Sequence, residues 1–203
     1  MSTTPLHFEY TLAEHGWART ALTIGGQRHE FENAFGSDPI GSLAQLAIRF
    51  AAKTGVPKTE IVFDCENRGD YIAQFTHRDP SKFEFWHQPM QGLDGIERPR
   101  THFASCEIDS FAFALNIARI LDHLFRTHGF VGYLRSWQHF AFPLREYFFL
   151  RLLLDESPII HEITRVSNAS SFELELDLLR HEPVWANAPR TNGAASIELP
   201  YEL

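Results

Sequence analysis

Residues 108–154 are so dense in phenylalanine, leucine and isoleucine that no stable fold leaves them in water. Burying apolar surface is the largest favourable contribution to folding, so the rest of the chain must be arranged around this stretch. Phe111, Ala114, Leu115, Ala118, Leu121 and Phe125 recur at helical spacing, and Phe113, Ile117, Ile120 and Leu124 widen that stripe. A helix so apolar is buried on most sides. Asp109 or Ser110 is placed to open it, Gly129 to end it, and further segments are expected over residues 133–142 and 143–155. Arg119, Arg135 and Arg151 break the run before it reaches the roughly twenty apolar residues of a membrane span.

Shorter periodicities precede it. Phe8, Tyr10 and Leu12 alternate as in a half-buried strand, and residues 17–24 and 27–31 flank Gly25-Gly26, a pair suited to a tight hairpin. Ser37-Asp38-Pro39 reads as a helix start, with Ile40, Leu43, Ala44, Ala47 and Ala51 on one stripe and Gly55 and Pro57 as the stop. Residues 60–65, 71–77, 82–88 and 101–107 read as strands, and residues 89–100 as an exposed loop. Beyond Pro158, Phe172, Leu174, Leu176 and Leu178 alternate with Glu173, Glu175 and Asp177, the pattern of a strand with an acidic outer side. Residues 161–166 are its expected hairpin partner. Together these predict an α+β fold: a twisted antiparallel sheet of about six to eight strands packed by three to four helices, with a C-terminal hairpin. Residues 1–155 form the core domain in this reading, and residues 156–203 an acidic hairpin and tail packed on it.

The net charge of −8 is unevenly spread: residues 155–203 hold three basic and nine acidic groups, against ten and thirteen in residues 1–100. An acidic surface repels phosphate backbones and attracts basic proteins, so the expected partner is a protein and neither nucleic acid nor membrane. Two cysteines, Cys65 and Cys106, are too few for a disulfide scaffold, and no secretory leader is visible, so a cytoplasmic location is expected.

Eleven histidines raise the question of a metal. His123 and His128 are five apart, which points them to different sides of a helix, and His161-Glu162 lacks a second histidine four residues on, so neither metal nor cofactor is expected. His102 and Cys106 share a strand face by parity but lie too far apart along the strand to touch, and both cysteines are expected to be buried and inert. Asp64 and Glu66 share the other face of their strand. They are candidate partner-binding residues together with Glu173, Glu175, Asp177 and Glu182. No catalytic set stands out. The competing reading is a small enzyme or ligand-binding protein whose site combines Asp64, Glu66, His77 and His87, and a third is a subunit that homodimerises through a sheet edge.

The order of elements, with Trp17 in an early strand, Ser37-Asp38-Pro39 before the first helix, and Tyr133, Trp137, Phe142-Pro143 and Leu150 near the end, resembles small bacterial α+β proteins over residues 8–154. That group includes proteins regarded as immunity proteins, which are encoded beside polymorphic toxins and block them by binding. The resemblance implies a non-enzymatic inhibitor of a toxin or effector, monomeric or homodimeric, and it assigns no site residue.

Overall fold

The computed structural model describes residues 6–54, 58–76, 81–90 and 98–154, together with Leu176, Leu179 and Arg180. In chain order these form β1 (Leu6–Leu12), β2 (Trp17–Ile24), β3 (Gln27–Ala34), α1 (Pro39–Ala51), β4 (Thr59–Asp64), β5 (Asp70–Thr76), β6 (Lys82–Gln88), β7 (Thr101–Glu107), α2 (Ser110–Trp137) and α3 (Leu144–Leu154). The fold is α+β. Its described strands divide into two antiparallel sheets, ordered β1-β2-β3 and β4-β5-β6-β7, where one continuous sheet was expected. The break falls where α1 separates β3 from β4. Within each sheet every strand pairs with its neighbour in sequence, a meander that needs only short connections. No helix among the described residues is long and apolar enough to cross a membrane.

Local chemistry explains most boundaries. Gly25 and Gly26, both at positive φ, close the β2–β3 hairpin. Asp38 caps α1 by accepting from the Gly41 amide at 3.0 Å, with Pro39 in the first turn, and Asp109 Oδ1 caps α2 by accepting from Phe111 and Ala112, each at 3.0 Å. Gly129 does not end α2. It interrupts the helix with φ 61° and ψ −176°, a conformation open to glycine, and helical geometry resumes at Phe130. Around Pro143, Leu144 N–H donates to the Phe142 carbonyl at 2.7 Å and Tyr147 N–H to the Pro143 carbonyl at 2.9 Å, so the proline sits in a tight turn ahead of α3. The Phe142 ring is buried among Phe125, Phe130, Tyr133 and Tyr147.

The inward faces of the two sheets, with α1 and α2, enclose the core. Phe8, Tyr10 and Leu12 face inward from β1, Ala18, Leu22 and Ile24 from β2, and Ile61, Phe63, Ala73, Phe75, Phe83 and Phe85 from the four-stranded sheet. α3 is fastened to α2 by a polar chain. Tyr147 OH donates to Asp122 Oδ1 at 2.6 Å, Arg126 Nε to Asp122 Oδ2 at 2.9 Å, and the fully buried Arg151 donates to Tyr147 OH at 3.2 Å. A charge buried with partners is costly to orphan, which makes this link specific.

The C-terminal expectation needs correction. Leu176, Leu179 and Arg180 are helical, so the strand expected over residues 172–178 does not hold at Leu176. Leu176 and Leu179 are half-buried three residues apart, and Leu179 packs against the core, which is one side of a helix rather than one side of a strand. The rest of the expected hairpin, including Glu173, Glu175, Asp177 and Glu182, lies outside the described residues.

β1 is an edge strand, and α2 closes its edge. The Phe8 amide donates to Asn116 Oδ1 at 2.7 Å, and Asn116 Nδ2 donates to the Phe8 carbonyl at 3.0 Å. One buried side chain thereby takes the place of a neighbouring strand. Asn116→Leu should destabilise the protein by about 2–4 kcal/mol, because it leaves a buried amide and carbonyl unpaired. Urea titration checks this, and a variant as stable as the parent would show that the edge is closed some other way.

Candidate functional site

Strand register places Val62, Ile72, Trp86 and His102 in one row across the outward face of the four-stranded sheet. Alternation ordinarily puts polar side chains on a solvated face, so an outward row of valine, isoleucine, tryptophan and histidine is a departure with a surface consequence. Val62 is 38% exposed, and the Trp86 ring packs 4.6 Å from that of His102. Arg100 donates to Gln88 Oε1 on β6 at 3.2 Å and to Glu60 Oε1 on β4 at 3.1 Å, so its side chain crosses the outward side of β5, where Ile72 is buried.

Carboxylates flank the row. On one side the cross-strand positions are Glu60, Gln74 and Glu84, with Gln74 Nε2 donating to Glu84 Oε2 at 2.6 Å. On the other side they are Asp64, Asp70 and Gln88. Burial pushes the Asp70 carboxyl above its ordinary range, and the facing Asp64 charge adds to the rise. Arg100 and Lys58 offset Glu60, but such exposed pairs are weak and leave the corner formed by Asp64, Glu66 and Asp70 negative.

Asp64 and Glu66 do not share a strand face as expected. β4 ends at Asp64, whose Oδ1 accepts from the Glu66 amide at 2.7 Å and turns the chain, and Glu66 sits at positive φ in a short 3-10 turn. The Asp64 amide donates to Ser37 Oγ at 3.1 Å, which ties this end of β4 to the start of α1. Asp64 therefore has a structural task as well as a place on the face.

The face owes part of its shape to a β-bulge. Phe85 pairs with Ala104 and Trp86 with His102, so Phe103 is the extra residue on β7. The bulge turns Phe103 inward, where its ring lies 5.7–6.2 Å from those of His29, Phe85, Tyr71 and His87, yet it remains 42% exposed at the sheet edge. It also reverses the parity expected for β7. His102 pairs with outward Trp86 and Cys106 with inward Phe83, so they lie on opposite sides of the sheet.

The competing set is likewise divided. Asp64 faces outward, whereas His87 faces inward, packs 4.9 Å from the Tyr71 ring and donates from Nε2 to the Arg68 carbonyl at 2.9 Å. His77 lies outside the described residues. Among the described residues no three His, Cys, Asp or Glu side chains gather closely enough to share a metal ion. Burial pushes the Cys65 thiol up to about 12 and the half-buried Cys106 thiol up to about 11, so both stay protonated at neutral pH.

Phe130, Val131 and Leu134 form a second exposed apolar group on α2, but their charged neighbour is Arg135 rather than an acid. Sequence reasoning missed Ile72, Trp86 and the role of Phe103. The signal for the first two was present in the apolar runs Tyr71-Ile72-Ala73 and Phe85-Trp86, which serve both sides of a sheet. Comparison with protein-family models, with curated proteins and with solved structures finds no match to the chain.

Both thiols hold their proton more tightly folded than unfolded. Their contribution to stability is present below the ordinary thiol range and is lost as pH rises through about 11 for Cys106 and about 12 for Cys65. Alkylation of Cys106 should accelerate with pH toward about 11, and Cys65 should react only on unfolding. Rapid labelling of either at neutral pH, followed by mass spectrometry, would contradict this placement.

Proposed function

We propose that the protein is a non-enzymatic protein-binding module of the immunity or inhibitor kind, which neutralises a basic toxin or effector by covering its surface. The observation that carries this reading is the outward row in which Val62, Trp86 and His102 surround the buried Ile72, bordered by Asp64, Asp70 and Glu84. An apolar centre with a polar, charged border is the composition of a docking surface, and tryptophan is among the residues most often dominant in binding. The sign of the border selects a basic partner. The net charge of −8, with nine acidic and three basic groups in residues 155–203, speeds encounter with such a partner. Glu173, Glu175, Asp177 and Glu182 belong to that segment, and Asp64 and Glu66 to the acidic corner of the sheet.

The test uses the full chain as bait in its native cell extract, beside a Val62→Lys variant altered at an exposed position. The parent should retain a basic protein in stoichiometric amount and suppress its activity, and the variant should retain little of it. Trp86→Ala should weaken the purified complex by about 2 kcal/mol or more, roughly thirtyfold. Reversing Glu173, Glu175 and Asp177 together should slow association about tenfold at low salt and flatten its dependence on ionic strength. Turnover of a substrate that disappears on replacing one polar side chain, or a partner bound equally well by Val62→Lys, would overturn the reading.

A further inference from the structure

The outward face of the four-stranded sheet has a centre that the chain itself covers. Ile72 is 3% exposed although it stands on the side away from the core, whereas Val62, its partner in the same row, is 38% exposed. The cover comes from Arg100, the residue before β7. Its Nε donates to Gln88 Oε1 at 3.2 Å and its Nη1 to Glu60 Oε1 at 3.1 Å. Register sets those acceptors at opposite corners of the face: Gln88 pairs with Asp70 and Glu60 with Gln74, and Ile72 lies midway between Asp70 and Gln74 on β5. A guanidinium bonded to both corners lies across the isoleucine that they bracket.

The acceptors are held for a cation of this shape. Gln88 Nε2 donates to the Arg98 carbonyl at 2.9 Å, which leaves Oε1 as the end turned to Arg100. Glu60 supplies the charge, with the Lys58 ammonium also 3.8 Å from its Oε1. A guanidinium suits the place better than an ammonium, because it is flat and weakly hydrated and its donors lie fixed in one plane, so it reaches two acceptors while its face rests on apolar surface. The hold is nevertheless loose. The Arg100 side chain is 41% exposed and that of Glu60 33%, and pairs so open to water contribute little to stability. A defined geometry with a weak hold is what an exchangeable occupant requires.

We propose that Glu60 and Gln88 form a guanidinium-binding site over Ile72, which Arg100 fills in the free chain and an arginine of the basic partner takes over on docking. The site stands on the geometry of the face, and the takeover rests on that face being a docking surface. The incoming arginine repeats the bonds that Arg100 gives up, so the Glu60 carboxylate keeps a cation throughout. Arginine is among the residues most often dominant at interfaces, and here it joins Ile72 and Trp86 of one row. Because Arg100 competes for the site, its removal raises the apparent affinity for such a partner.

Methyl NMR of the full chain, with N-acetyl-arginine amide as the probe, tests the site. Arg100→Ala empties it, and the Ile72 methyl signals of that variant should shift saturably with the probe, whereas those of the parent should not. N-acetyl-lysine amide should bind about tenfold more weakly, and Arg100→Ala/Glu60→Gln should lose about tenfold in affinity for the arginine probe. The remaining methyl signals report whether the variant is folded, and Arg100→Gln serves where Arg100→Ala is not. The absence of a saturable shift at Ile72 in a folded variant, or equal binding of the two probes, overturns the site. Takeover is read on the basic protein that the parent retains from extract: Arg100→Ala should bind it about fivefold more tightly, and unchanged or weaker binding overturns takeover. Where the parent retains no basic protein, the docking reading falls and takeover with it, while the probe titration still decides the site.

Discussion

Phe113 is the point at which the two sheets and two of the helices are held together. From the first turn of α2 its ring meets Phe8 of β1 at 6.0 Å, Phe50 of α1 at 5.4 Å and Phe75 of β5 at 5.2 Å. Phe83 completes the group through Phe8 at 6.1 Å and Phe75 at 5.0 Å. Each aromatic pair contributes only about 0.5–1.5 kcal/mol beyond the burial itself, but here the same rings are shared between elements that otherwise have few reasons to meet. The three-stranded sheet is made of local pairings, and so is the four-stranded one. Neither buries its inward face without the other, and Phe113 is where that mutual need is satisfied.

The joint has consequences for the surface. Because the inward faces are filled by rings from both sheets, the outward side of the four-stranded sheet is left to present Val62, Trp86 and His102. The bulge at Phe103 sharpens this division: it sets that ring beside Tyr71 and Phe85 at the sheet edge and turns His102 to the outside, next to Trp86. A single extra residue on β7 therefore shapes both the core rim and the candidate docking face. The acidic border of that face comes from strand ends, where Asp64 also turns the chain, so the charge of the face and the end of β4 depend on the same side chain.

Features governed by neighbours in the chain are legible in the amino-acid sequence alone. Asp38 and Asp109 cap the helices that their positions announce, Gly25-Gly26 closes its hairpin, and β2, β6 and β7 run over the residues that alternation marks. Each rests on interactions spanning a few residues, which a linear pattern records. Gly129 is legible as a breaker but not as a kink, because the packing of Tyr133 and Trp137 is what restores the helix beyond it. Leu176 shows the opposite failure: alternation there fits a strand, and contact of Leu179 with the core goes with a helix instead.

The candidate site lay further from view. Outward and inward parity along β7 depends on a bulge, and nothing local to residues 101–107 encodes it. The reciprocal bonds of Asn116 with Phe8, and the edge-on packing of Trp137 against Tyr10, join residues more than a hundred positions apart. The chain by itself determined most of the described helices and strands, where most of them start, and that their excess apolar content must be hidden, since propensity, capping and periodicity act over a turn or a hairpin. Only the tertiary structure decided that the strands form two sheets, which side of each faces out, and which polar groups meet in the interior, because those outcomes follow from how distant surfaces compete to cover one another.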